Sequence, residues 1–202
     1  MIESLVTTSD PRHAGANVPA LDLVNSEIWY GLGPLEDLLD TPGWLDRFLV
    51  HYDFTAAGPP APAARARLVR LRALLREAIQ AIAAGRAPKP GVLDELNAFI
   101  AARPATPRLV RAGGTFRLDA VPEKTDWAWV LGEVALSFAR LLAAGDLRRL
   151  KVCDNPDCAW AFYDESKNRS RRWCSAAECG NLIKVRRFRE RQRAARPAPR
   201  RT

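Results

Sequence analysis

The sequence has few histidines, and the first three-quarters of the chain have no cysteine. Among 202 residues there are two histidines, His13 and His51, and four cysteines, which all lie between Cys153 and Cys179. The chain has no G-x-S-x-G, Walker A or H-E-x-x-H pattern, and its scattered carboxylates have no partner that suggests acid–base chemistry. We therefore expect a protein that is not an enzyme.

Long hydrophobic runs are also scarce. The stretch MIESLVTTSDPRH has no apolar segment behind a basic start, so no secretory signal is predicted. The most apolar stretch, WAWVLGEVALSFARLLAAG, is interrupted by Glu133 and Arg140, which argues against a membrane span. We expect a cytoplasmic protein with no membrane partner. In that compartment, clustered cysteines hold a metal more often than they form disulfides.

The excess positive charge lies entirely in the last quarter of the chain. Residues 151–202 contain 14 basic and 6 acidic side chains, which gives the whole net charge of +8. In the first 150 residues, 17 basic and 17 acidic side chains cancel. This asymmetry favours a polyanionic partner for the C-terminal segment, with DNA ahead of an anionic membrane.

Apolar spacing predicts a mainly α-helical domain with a small β-hairpin over residues 1–148. The hairpin is placed around Gly113-Gly114, and Gly85 and Gly145 are expected to end helices. An Arg/Pro/Ala-rich tail, 196–202, is predicted to be disordered. The predicted helical stripes comprise Leu21, Val24 and Ile28; Trp44, Leu45, Phe48 and Leu49; Leu68, Leu71, Leu75, Ile79 and Ile82; Val92, Leu93, Leu96 and Ile100; and the segment 127–142.

The cysteine spacing predicts a small zinc module over residues 149–195. Two pairs, Cys153-x4-Cys158 and Cys174-x4-Cys179, are separated by fifteen residues, the layout of a four-cysteine zinc site. Four free thiols or two disulfides are the alternatives. Four thiolates complete a tetrahedral shell and no histidine is near in sequence, so we expect one structural Zn²⁺ ion rather than a catalytic one.

A basic segment surrounds and follows the second cysteine pair. A helix fixed at its start by zinc and coated with arginine suits a DNA groove or phosphate backbone. A solvated basic helix, or one that is salt-bridged to acidic patches of the first domain, is the alternative. The candidate nucleic-acid-binding residues are Arg169, Arg171, Arg172, Lys184, Arg186, Arg187, Arg189, Arg191 and Arg193.

Apolar residues in this segment are expected to build a mini-core around the metal. Leu182, Val185 and Phe188 step by three along the basic helix and are predicted to pack on the zinc site. A small zinc module needs such a core, so packing is favoured over base stacking for its aromatic side chains. These aromatic residues are Trp160, Phe162, Tyr163 and Trp173.

The stretch WCSAAECGNLIKVRRFRER, with FYDES upstream, resembles the CGNR zinc finger. The N-terminal ALDLVNSE followed by LEDLLDTPGWLDRFL resembles the ABATE domain that precedes this finger, so the two similarities cover nearly the whole chain. The resemblance implies a stress-related transcription regulator with a treble-clef-like or zinc-ribbon-like module and the four cysteines as zinc ligands. It marks Gly180 and Asn181 as signature residues, whereas the signature arginine is replaced by Leu182.

Two functional hypotheses follow from these observations. The first is a DNA-binding transcription regulator whose N-terminal domain senses a small ligand or a protein partner. The second is a non-enzymatic protein-interaction module, stabilised by zinc, that docks an acidic partner or the chain's own dimer mate. A homodimer is compatible with either hypothesis.

Overall fold

The computed structural model describes residues 17–30, 33–54 and 58–194. His13 and the predicted tail 196–202 lie outside these residues. The helices are α1 (Pro19–Asn25), α2 (Trp44–His51), α3 (Pro62–Ala83), α4 (Pro90–Ala101), α5 (Trp127–Ala144) and α6 (Asn181–Ala194). The strands are β1 (Glu27–Tyr30), β2 (Gly33–Asp37), β3 (Ala105–Ala112), β4 (Thr115–Pro122), β5 (Leu150–Val152) and β6 (Ala161–Tyr163).

Helix α3 runs through the centre of the helical module, the part of the chain that precedes the zinc module. Its predicted stripe is confirmed, since Leu68, Leu71, Leu75 and Ile79 are fully or almost fully buried. The helix contacts α1, α4, α5 and β5, so its apolar side is shared by most of the core. Gly85 follows the helix with a φ of 70°, a left-handed conformation that glycine adopts without steric cost and that ends a helix.

Helix α5 is long and apolar enough to cross a membrane by length and composition alone. It packs instead as a core helix against α1, α3 and α4, with Leu131, Val134 and Phe138 buried. Glu133, one of the two charges in this stretch, forms an ion pair with Arg103, which lies just after α4. The charge is therefore compensated inside the protein fold.

The Asp126 carboxylate caps the start of α5. It accepts hydrogen bonds from the Ala128 and Trp129 N–H groups at 3.0 and 3.1 Å. We expect Asp126→Ala to lower the free energy of unfolding by about 1 kcal/mol, because two helix N–H groups lose their acceptor. Asp126→Asn, which keeps an acceptor oxygen, is the matched control and should cost less. Urea denaturation of both variants measures the difference, and equal stabilities would contradict the capping role.

The mainly α-helical class is confirmed, but the count of one hairpin is wrong. The described residues form three two-stranded antiparallel sheets, β1–β2, β3–β4 and β5–β6. Ile28 lies in β1 and not on the predicted first helix, because α1 ends at Asn25. The Arg76 guanidinium donates to the Val24 and Glu27 carbonyl oxygens, which replaces the next turn of helical hydrogen bonds.

An ion pair between the buried Arg72 and the half-buried Asp37 fastens β2 to α3. Both terminal nitrogens of Arg72 donate to the Asp37 carboxylate at 2.6 Å, and one also donates to the Ser26 hydroxyl. Burial alone would raise the pKa of Asp37, but the hydrogen bonds from Arg72 and from the Leu39 N–H hold it below its usual value. The pair therefore stays ionised, with its polar atoms satisfied inside the protein.

The β3–β4 hairpin extends away from the core. Its strands pair in uninterrupted register from Ala112↔Thr115 to Ala105↔Pro122. Gly113 and Gly114 both have positive φ, as a two-residue type I′ loop requires, which confirms the predicted turn. Neither strand pairs with any other strand among the described residues.

Candidate metal centre and nucleic-acid interface

The first two cysteines lie on the turn of the β5–β6 hairpin. Cys153 directly follows β5, and its N–H donates to the Trp160 carbonyl at 2.9 Å. Asn155, which is buried, shapes the turn: its side-chain oxygen accepts from the Asp157 N–H, and its carbonyl accepts from the Cys158 N–H. The side chains of the first pair are thereby held on the same side of the turn.

The second cysteine pair lies just before α6. The Cys174 N–H donates to the Cys153 sulfur at 3.4 Å, which joins the two pairs. A turn at Ala176–Gly180 carries Cys179 and continues directly into α6. The Ser175 hydroxyl caps that turn by accepting from the Glu178 N–H. One ligand pair on a hairpin and the other at a helix start form a treble-clef-like layout.

The four sulfur atoms lie within 4.8 Å of one another. Cys158 and Cys174 are 3.8 Å apart, and Cys174 and Cys179 are 3.6 Å apart. Zinc–thiolate bonds of about 2.3 Å in a tetrahedron place sulfurs about 3.8 Å apart, so the spacing fits one zinc ion. All four ligand positions are sulfur, which makes the site a closed, structural zinc site.

The four sulfurs lie close enough to share one cation. The contact with Cys158 lowers the pKa of the Cys153 thiol to about 7, whereas contacts with Cys153 raise the pKa of Cys158 and Cys174. Four thiolates cannot share this volume without a compensating charge, and Zn²⁺ supplies it. The Asn155 side-chain amide also donates to the Cys179 sulfur at 3.4 Å, as outer-shell groups of zinc sites do.

A buried aspartate organises the loop between the cysteine pairs. Asp164 has no exposed surface, and it accepts from Lys151 at 2.6 Å and from the Ser166 and Arg171 N–H groups. Burial opposes ionisation, but these donors lower the pKa of Asp164 to about 2. Lys151 also donates to the Arg169 carbonyl, so one ion pair fixes both ends of the basic loop. Sequence reasoning gave no role to Asp164, which lies in the FYDES segment, or to Lys151, thirteen residues before it.

The aromatic mini-core is present. Trp160 and Phe162 are buried against Cys153 and Cys174, and Trp173 packs at their edge. Tyr163 instead joins the main core and accepts a hydrogen bond from the Asp146 N–H at 3.0 Å. A methyl group at Gly180 would meet Trp173 at ordinary contact distance, so packing does not demand glycine there. Asn181, the other signature residue, begins α6 and is exposed.

The predicted apolar contact of α6 is wrong. Leu182, Val185 and Phe188 are all exposed, whereas the intervening Ile183 is buried. The helix is oriented by Cys179 at its start and by the ion pair between Arg186 and Asp157 of the first cysteine turn. Those covalent and charge constraints place Ile183 inward. The three other apolar side chains therefore form an outward strip, here called the α6 strip.

The structure divides the nine predicted nucleic-acid-binding residues into two groups. In the first, Arg169 pairs with Asp146, Arg172 with Asp154 and Arg186 with Asp157. Arg171 donates to the Trp173 and Cys174 carbonyls and lies over the Phe162 ring. The second group makes no ion pair within the described part of the chain and is exposed to solvent. It consists of Lys184, Arg187, Arg189, Arg191 and Arg193.

The zinc module and the helical module share one core. Leu150 of β5 and Ala161 of β6 are buried in the same cluster as the residues of α1 and α3. Asn25, which is 4% exposed, makes two hydrogen bonds of 2.9 Å with Ala161, accepting from its N–H and donating to its carbonyl. The side-chain amide of Asn25 thus pairs with β6 as a neighbouring strand would.

Fold and site together define a helical protein with a C-terminal four-cysteine structural zinc finger. The model of the ABATE family, described as "Putative stress-induced transcription regulator", matches residues 17–145, and the model of the CGNR zinc finger matches residues 149–192. The chain belongs to the ABATE family and carries a CGNR zinc finger. A search of the curated proteins found no match to the chain.

Proposed function

We propose that the chain is a cytoplasmic, non-enzymatic transcription regulator that binds DNA through α6. The observation that carries this proposal is the second group of basic residues, Lys184, Arg187, Arg189, Arg191 and Arg193, on one exposed helix. Family membership supports a zinc-finger regulator, and the charge of the C-terminal segment supports a polyanion as partner.

The geometry of α6 suits a groove of duplex DNA. The helix has fourteen residues, and its first turn is anchored through Cys179 to the metal site. An α-helix with its side chains is about 10–12 Å wide, which matches a major groove of about 12 Å. At helical spacing, Lys184, Arg187 and Arg191 lie on one side of the α6 strip, while Arg189 and Arg193 lie on the other. Both phosphate rims of the groove would then face positive charge.

Charge reversal on one side of α6 tests this proposal. We expect Arg187→Glu/Arg191→Glu to weaken binding to a pool of short genomic duplexes at least about tenfold at physiological salt. The slope of log affinity against log salt should become shallower by about two, because two phosphate contacts are lost. The matched control is Arg86→Glu/Lys124→Glu, which changes the net charge equally on exposed residues of the helical module. Fluorescence anisotropy of the zinc-loaded proteins measures both quantities.

The control fixes how each outcome is interpreted. If both variants lose affinity equally, the contact depends only on overall charge, and α6 is not the DNA-binding helix. If the α6 variant binds as tightly as the unchanged protein, DNA contact through α6 is wrong. Arg186 is left unchanged, because reversing its charge would also break its contact with Asp157 at the metal site.

A cleft between the modules supports the sensing part of the proposal. It has a volume of about 660 Å³ and is lined by Tyr52 and Phe54, by Glu133 and Arg140 of α5, and by Tyr163 of the zinc module. An aromatic wall beside Glu133, Arg140 and Glu165 suits a small organic ligand that carries a polar group. A ligand here would contact the zinc module and the helical module together. We propose this cleft as the sensory site.

The α6 strip favours an acidic protein partner as the second candidate function. Apolar side chains at 182, 185 and 188, flanked by arginines, suit an amphipathic acidic helix. The duplex experiment distinguishes the two candidates, because a protein-docking helix would bind the duplex pool only weakly. Leu182→Ala/Phe188→Ala should then abolish recovery of an acidic partner in a nuclease-treated pull-down.

A further inference from the structure

The outer edge of β4 has free backbone groups. Because the loop has two residues, Ala112 and Thr115 form a hydrogen-bonded pair, and hydrogen-bonded and non-hydrogen-bonded pairs alternate from there. Phe116, Leu118 and Ala120 therefore direct their N–H and C=O groups away from β3. No other backbone group among the described residues bonds to them. This row of unpaired N–H and C=O groups on β4 can pair with another strand.

The corresponding edge of β3 is blocked by proline. Pro107 lies opposite Ala120, at a position whose N–H would point outward, and proline has no N–H. Proline at such a position is one way in which proteins protect a strand edge from pairing. β4 also has a proline at an outward-directed position, Pro122, but it is the last residue of the strand, so the outer edge from Phe116 to Ala120 stays open. Strand addition is directed to β4.

The sequence of β4 is complementary to itself in antiparallel register. With Leu118 opposite its own copy, Phe116 lies opposite Ala120 of the partner subunit, and Arg117 lies opposite Asp119 of the partner subunit. The outward-directed N–H and C=O groups of the two copies then face each other, which gives about six N–H···O=C bonds across the junction. Arg117 already pairs with Asp119 of its own strand at 2.7 Å, so these opposite charges lie on the same face.

Apolar side chains cover the other face of the hairpin. Leu109, Phe116 and Leu118 are 71%, 67% and 72% exposed, and Leu109 lies opposite Leu118. A two-stranded hairpin is marginally stable alone, whereas a longer antiparallel sheet gains cross-strand apolar pairs. Pairing through β4 would place Leu118 against its copy and Phe116 against the methyl group of Ala120 of the partner subunit.

We propose that two copies of the chain associate through the outer edges of β4 to form a four-stranded antiparallel sheet. The twofold axis passes between Leu118 and its copy, and the strand order is β3–β4–β4–β3. The interface is isologous, as expected for a twofold dimer. It is independent of the metal site and of DNA contact, since the hairpin lies in the helical module.

Charge variants at Leu118 test the twofold axis, because across the proposed junction this residue lies opposite its own copy. Leu118→Lys places two ammonium groups opposite each other, and Leu118→Glu places two carboxylates opposite each other, so each variant alone should be monomeric. An equimolar mixture should regain the dimer. The matched control is Leu109→Lys, which is equally exposed but lies on the blocked strand and should leave the dimer intact.

Sedimentation equilibrium of the full zinc-loaded chain measures the mass directly. We expect about 45 kDa for the unchanged protein and for the mixture, given 22.4 kDa for one chain, and half that mass for each Leu118 variant. An unchanged protein that is monomeric at about 100 µM would overturn the proposal. A dimer that survives Leu118→Lys, or a mixture that stays monomeric, would overturn it equally. Rescue in the mixture excludes misfolding as the cause of dissociation.

Discussion

Removal of zinc is expected to unfold the C-terminal module and to destabilise the helical module as well. Zinc–thiolate binding supplies about 10–16 kcal/mol of apparent free energy in zinc-finger peptides, and the small mini-core here cannot replace it. Leu150 and Ala161 would leave the shared core when β5 and β6 separate. Loss of a buried leucine costs about 2–3 kcal/mol, so the melting temperature of the helical module should fall by roughly 5–10 °C.

Calorimetry with a strong chelator, followed by zinc repletion, measures this effect. Cys174→Ser should reproduce the chelated state, while Ser170→Ala, an exposed serine of the neighbouring loop, should melt like the unchanged protein. An unchanged melting temperature would contradict this expectation. If the helical module melts at the same temperature with and without zinc, the shared core contributes nothing to its stability.

Asn25→Ala is expected to lower the free energy of unfolding by about 2–6 kcal/mol. The substitution leaves the N–H and the carbonyl of Ala161 buried without partners, and each such group costs about 1–3 kcal/mol. Urea denaturation, followed by far-UV circular dichroism, measures the loss. The zinc module should lose protection from hydrogen exchange along β6 in the same variant, because its edge partner is gone.

Two control variants separate the loss of the Asn25 hydrogen bonds to Ala161 from the general effect of removing a polar side chain. Asn97→Ala removes an exposed amide from α4 and should change stability by less than about 0.5 kcal/mol. Asn25→Asp keeps the acceptor for the Ala161 N–H but faces its carbonyl with an oxygen, so it should also destabilise the protein. An Asn25→Ala variant as stable as Asn97→Ala would contradict the pairing.

The zinc site and the long helices could be predicted from local patterns. Four cysteines at metal-binding spacing require no knowledge of distant residues, and the buried stripe of α3 follows directly from its period. The Gly113-Gly114 turn is similarly local. The strands β1 and β5 could not be predicted in this way, because runs of three or four residues have no period that distinguishes them from a helix.

The remaining misses depend on contacts between distant segments. Asn25 finds its partner 136 residues away, and a single sequence does not reveal that pairing. On α6, the apolar step of three residues suggested Leu182, Val185 and Phe188 as the inner side. The helix is instead rotated so that Ile183 faces inward, because the positions of Cys179 and Asp157 fix its orientation.

The junction between the two family matches, residues 146–148, is not a hinge. The Asp146 carboxylate accepts hydrogen bonds from Arg148 and Arg169, and the Asp146 backbone N–H donates to the Tyr163 hydroxyl. Arg149 also donates to the Asp164 carbonyl. We therefore do not expect the zinc finger to move as a separate body on a flexible linker. If the inter-module cleft is the sensory site, we expect a bound ligand to act on α6 through a small shear between packed surfaces.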